Sequence, residues 1–69
     1  MTNQEFLKFI GTEFKVARIR KSLTLAELAK LCGLDAQTCG DIERGKVDGK
    51  ILSYKRIADA LGISMKDFI

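Results

Sequence analysis

The punctuation between Thr24 and Gly45 constrains this chain more than any other feature. Thr24-Leu25-Ala26-Glu27 spells a capping box: the threonine hydroxyl takes the amide of Glu27 while the glutamate reaches back. Gly33 stands where that helix must end, because a helix terminus wants a left-handed residue. Asp35 follows as a second N-cap and Gly45 as a second stop. The stretch therefore reads as two short helices joined through a tight glycine turn, one from the Thr24 cap through Cys32 and one from the Asp35 cap to about Arg44.

The flanking sequence is helical as well. Phe6, Ile10, Phe14 and Ala17 recur at spacings of a single helix face, which predicts a first helix from about Asn3 to Lys21. Arg18, Arg20 and Lys21 suit the negative end of its dipole. Gly11 disfavours that helix by roughly 1 kcal/mol relative to alanine, so it marks close packing or a break into a short leading turn. Ser22-Leu23 is a connector. A fourth helix spans about Lys50 to Leu61, with Ile51, Tyr54, Ile57, Ala58 and Leu61 inward and Gly62 as its stop. Ser64-Met65-Lys66-Asp67 offers another capping signal, for a short fifth helix ending in Phe68 and Ile69. Apolar residues never alternate as they would along a strand, so the chain reads as all-α.

With 69 residues the chain has room for one domain, residues 1–69, and no linker or repeat divides it. It has no proline to break helices, and 46% of its residues are hydrophobic, which suits a packed core. Two cysteines without a CxxC pair, and no histidine, give neither a disulfide framework nor a metal site. The cysteines are expected as reduced thiols in a cytoplasmic protein. No apolar run reaches membrane-spanning length, and the acidic start Met-Thr-Asn-Gln-Glu is unlike a signal peptide. The net charge of +3 permits a polyanionic partner without demanding one. There is no nucleophile–base set, no phosphate-binding glycine loop and no cofactor or small-molecule motif, so an enzyme is rejected.

Leu28, Ala29, Cys32, Leu34, Cys39 and Ile42 take the core positions of the two short helices, with Ala29 small at their crossing. This is the geometry that offers a second helix to the DNA major groove. LTLAELAKLCGLDAQTCGDIERGK here resembles the lambda-repressor-like (Cro-type, XRE-type) helix-turn-helix family. The matching elements are the Thr24 cap, Glu27-Leu28-Ala29, Gly33 with Leu34, and Ile42-Glu43-Arg44-Gly45. Ile57-Ala58-Asp59-Ala60-Leu61-Gly62-Ile63 resembles the family's fourth helix and exit turn, and the likeness runs from roughly Phe14 to Phe68. It implies a five-helix DNA-binding domain with the helix-turn-helix at helices two and three. It also implies a transcriptional regulator, a repressor, that acts as a homodimer on palindromic double-stranded operator DNA.

The resemblance places Ala36, Gln37, Gly40 and Asp41 on the outward face of the recognition helix, where bases are read. Gln37 is the leading reader, since a carboxamide pairs bidentately with adenine. Phosphate contacts fall to Thr24 and Leu25 at the start of helix two, where a helix N-terminus favours anions. Thr38, Arg44, Lys46 and Lys50 join them from the recognition helix and the loop after it. The family commonly pairs an arginine late in helix one with a glutamate late in helix three, which implies an ion pair of Arg18 with Glu43.

The DNA-facing positions depart from the family pattern. Leu25 replaces a polar group that helps to hold a phosphate, and Gly40 replaces a side chain able to touch DNA. Ala36 offers only a methyl, and Asp41 adds a negative charge. A competing reading is therefore a protein-interaction module, an antitoxin-like or anti-repressor partner that keeps the fold with little DNA affinity. Cys32 and Cys39 read as small core hydrophobes. Phe6, Phe9, Val16, Ile19, Leu31, Met65, Phe68 and Ile69 exceed one inward stripe per helix, and are expected to form a dimer surface or to complete the small core.

Overall fold

Each of the first three helices begins where a side chain closes its first turn. In the computed structural model, which describes residues 1–67, α1 (Asn3–Arg20) starts from a Thr2–Glu5 capping box. The Glu5 amide donates to Thr2 Oγ1 at 3.1 Å, and the Thr2 amide donates to Glu5 Oε1 at 2.8 Å. The same reciprocal pair, Thr24 with Glu27, opens α2 (Leu25–Cys32). Asp35 opens α3 (Ala36–Glu43), its carboxylate accepting from the Thr38 amide at 2.6 Å. Only α4 (Ile51–Leu61) starts without a side-chain cap. Gly33 and Gly62 end α2 and α4 in the left-handed conformation, with φ of 74° and 70°.

α1 lies across α3 and α4, and α2 packs on the same two helices. Phe14, Leu28, Cys39, Ile42, Ile57 and Leu61 are the fully buried side chains at the centre. Leu34 is partly buried, packed against this cluster from the turn between α2 and α3. The Phe14 and Tyr54 rings face each other at 6.2 Å between centroids. Tyr54 also uses its hydroxyl, which accepts from the Gly49 amide at 2.9 Å and ties the loop after α3 to α4.

Two expectations change here. The fifth helix is, within the described residues, a single 3-10 turn over Met65–Asp67. Ser64 Oγ takes the Lys66 amide at 3.2 Å, two residues on, and the Asp67 amide bonds the Ser64 carbonyl at 3.1 Å. That bonding closes a turn rather than capping an α-helix. Phe68 and Ile69 lie outside the described residues. Ile51, expected inward, is 66% exposed. It is the first residue of α4, and helical side chains lean toward the N-terminus, so it projects past the end of the core.

The surplus of apolar residues divides. Phe6 and Met65 pack against the core, whereas Phe9, Val16, Ile19 and Leu31 stay exposed. Cys32 and Cys39 are both buried, with sulfurs 3.9 Å apart. Burial, followed by the neighbouring Cys32, pushes the Cys39 thiol up to about 12. No described helix is long and apolar enough to cross a membrane.

Candidate nucleic-acid interface

Gly11 settles how α3 is held. It is buried in the middle of α1, and a Cβ there would fall on the backbone carbonyl oxygens of Ile42 and Glu43. The two helix backbones thus meet with no side chain between them. Gly11 marks close packing and no break, since α1 is continuous across it. Gly45, at φ 68°, repeats the close approach one turn away, with Lys8 Cγ 2.7 Å from where its Cβ would stand.

Arg18 adds a polar clamp to this junction. Its Nε donates to Glu43 Oε2 at 2.7 Å, Nη2 donates to Oε1 at 3.1 Å, and Nη1 donates to the Leu23 carbonyl at 2.7 Å. Glu43 is the one buried charged residue among those described, 7% exposed at the C-terminal end of α3. The pair fastens the end of α3 to the end of α1 and to the connector before α2.

The opposite side of α3 is open. Ala36 and Gln37 are exposed on its first turn, and Gln37 has no intramolecular partner among the described residues. Thr38 is half-buried, its amide held by Asp35, whose carboxyl that bond keeps below its ordinary range. Gly40 and Asp41 differ from their expected placement. Gly40 is buried, because the Arg44 guanidinium folds back over it, with Nη1 3.1 Å from where a Cβ would stand. Asp41 receives that guanidinium, Nη2 to Oδ1 at 2.8 Å. The negative charge on this face is therefore matched by Arg44 from within the same helix end. The signal for this pair is present in the sequence, since i,i+3 is a spacing at which helical side chains meet.

At the start of α2, the Thr24 hydroxyl and amide are both engaged with Glu27, and the Thr24 amide sets the low pKa of that carboxylate. The next two amides, those of Leu25 and Ala26, have no acceptor within the chain among the described residues. The Leu25 side chain packs against the core. What this position offers outward is its backbone N–H. Lys46 and Lys50 are exposed in the loop after α3.

The comparisons with known proteins agree with this architecture. The model of the helix-turn-helix family matches residues 14–68. The uncharacterized HTH-type transcriptional regulator y4dJ of Sinorhizobium fredii is 29% identical over 62 residues, 90% of this chain and 80% of that protein. The crystal structure of the restriction-modification controller protein C.AhdI from Aeromonas hydrophila superposes with a TM-score of 0.88 at 28% identity, covering 100% of both chains.

Proposed function

The chain belongs to the helix-turn-helix family, and from that premise we propose that it is a DNA-binding transcriptional regulator that reads the major groove with α3. The observation that carries this reading is the two-sidedness of α3. One side is fixed rigidly by Gly11 and the Arg18–Glu43 pair, and the other presents Ala36 and Gln37 to solvent. A recognition helix needs both: a firm seat, and base-reading side chains at its N-terminal end.

In this reading Gln37 pairs with a base edge, and Ala36 meets a thymine methyl. Asp41 accepts from cytosine once Arg44 leaves it, and Gly40 lets the backbone of α3 come close. The free amides of Leu25 and Ala26, beside Thr24, take a backbone phosphate at the α2 N-terminus. Thr38, Arg44, Lys46 and Lys50 supply further phosphate contacts. Arg18 and Glu43 serve as scaffold. The unit is a homodimeric repressor on a palindromic operator, with no cofactor. The family is one of DNA-binding regulators, and the y4dJ and C.AhdI proteins, a transcriptional regulator and a restriction-modification controller by name, support the regulatory role.

A fluorescence titration against mixed-sequence duplex DNA tests the reading. Affinity should fall steeply between about 50 and 200 mM salt, as bound counterions are released. Selection from a random duplex pool should then return a two-fold symmetric site. Absence of binding even at low salt would instead favour a protein-interaction module on the same fold.

A further inference from the structure

A second basic surface lies beside α3, on residues of α1 that the family likeness leaves without a role. Lys8, Thr12 and Lys15 sit at spacings of four and three, so they form one stripe along α1. That stripe walls a surface cleft whose other side is the backbone of Gly40 and the Arg44 side chain. Four cationic side chains line the cleft: Lys8, Lys15, Arg18 and Arg44. The single carboxylate in it, Glu43, is already held at both oxygens by Arg18. Lys8, Thr12 and Lys15 make no side-chain hydrogen bond or ion pair among the described residues. The ammonium groups of Lys8 and Lys15 and the Thr12 hydroxyl are thus left to solvent.

From this geometry we infer that the cleft between α1 and α3 is a docking point for a DNA backbone phosphodiester, bound by Lys8 and Lys15 with the Thr12 hydroxyl as a donor. The inference rests on the DNA-binding reading of α3 and adds α1 to the contact surface. The cleft reaches the start of α2, with Leu25 among its walls. Leu25 and Gly40 bring no polar side chain there, and the α1 lysines provide the charge that those two positions lack. The absence of a Cβ at Gly40 keeps the floor of the cleft low enough for the Arg44 guanidinium to lie in it. When a phosphate enters, Arg44 exchanges its single bond to Asp41 for the phosphate oxygens, which the guanidinium fork can take two at a time. Asp41 is then released toward the groove at the moment the backbone is engaged.

The test compares the salt dependence of duplex binding for the full chain and its variants, using mixed-sequence duplex as the probe. Lys8→Ala and Lys15→Ala should each shallow the slope of log affinity against log salt by about one unit, and the double variant by about two. Lys66→Ala, which removes the same charge from the closing turn, should leave the slope unchanged. Circular dichroism melts should show nearly the same unfolding midpoint in all of these, since neither α1 lysine makes a side-chain hydrogen bond or ion pair among the described residues. A steep wild-type slope that the α1 variants leave intact overturns the inference and keeps the DNA-binding reading. No duplex binding by the wild type overturns both. A small free anion as the natural occupant would show differently: unchanged slopes, with inorganic phosphate at matched ionic strength raising the unfolding temperature of the wild type but not of the double variant.

Discussion

The Arg18 guanidinium holds both carboxylate oxygens of Glu43 while its third nitrogen holds the Leu23 carbonyl, so one side chain joins α1, the α1–α2 connector and α3. The side chains are only 13% and 4% exposed. Removing one partner of a buried pair leaves the other charge without solvent or partner, which costs about 3–5 kcal/mol. Arg18→Ala should therefore lower unfolding free energy by about that amount in a denaturant titration. Arg18→Lys should recover only part of it, because an ammonium cannot make the forked contact. An unchanged midpoint for Arg18→Ala would show that the pair contributes nothing.

Two glycines at the same interface should respond in opposite directions. Gly11→Ala forces a methyl onto the carbonyl oxygens of Ile42 and Glu43, which neither backbone can avoid. It should largely unfold the chain at 37 °C. Gly40→Ala meets only the far end of Arg44, a flexible side chain. It gains helix propensity of up to about 1 kcal/mol, so its melting temperature should rise or hold.

Base reading and phosphate anchoring separate in the variants Gln37→Ala and Lys46→Ala. The first should flatten discrimination between selected and mixed sequences by about 1–3 kcal/mol while sparing non-specific affinity. The second should weaken all duplexes alike and shallow the salt slope by about one unit. Identical behaviour of the two, measured by competition titration, would remove Gln37 as a base reader.

The capping carboxylates make folding sensitive to acid. Glu5, Glu27 and Asp35 are each held below their ordinary values, chiefly by the backbone amides of Thr2, Thr24 and Thr38. A carboxyl whose folded pKa is depressed stabilises fully above its unfolded pKa and loses that contribution as pH falls through the folded value. Stability should accordingly decline below about pH 4.5, the ordinary glutamate value. Thr24→Ala should cost about 1 kcal/mol at neutral pH. It should also move the Glu27 titration, followed by NMR, only part of the way toward that ordinary value, because the backbone amide of residue 24, the larger cause, remains.

Cys39 should be chemically silent. A thiolate is the reactive form, and burial holds this thiol protonated up to about 12. Thiol reagents at pH 8 should label the folded chain slowly and the denatured chain at once. The sign of the shift is opposite to that of the carboxylates. Its stabilising contribution is complete below the ordinary thiol value of 9.0 and is lost as pH rises from there toward 12. Prompt labelling of native Cys39 at pH 8 would contradict its burial.

The helix-turn-helix was legible because its signals are local. Thr24–Glu27, Gly33 and Asp35 each act on their own turn, and the structure places every one at the helix end that the sequence assigns. Thr2–Glu5 obeys the same local rule, a threonine followed three residues later by a glutamate at the start of α1. The positions of Gly40 and Asp41 were not legible. A helix wheel puts both outward, and only the fold-back of Arg44 buries the one and neutralises the other. The α1 lysines were hidden for another reason. Their stripe acquires meaning only when α1 crosses α3, a contact that spans more than twenty residues of sequence. Ile51 shows a related limit, since periodicity gives the face of a helix but not where the core stops along it.

Because the α1 and α3 backbones touch at Gly11 without any side chain as a cushion, the recognition helix has no suspension. In the proposed reading, this leaves α3 little room to tilt or slide along α1 to follow an irregular groove. Any mismatch in shape must be absorbed by the duplex, whose stiffness varies with its sequence. If α3 reads DNA as proposed, such a protein would select sites by how readily DNA bends to a fixed template. Base pairs that it never touches should then count in the choice of site.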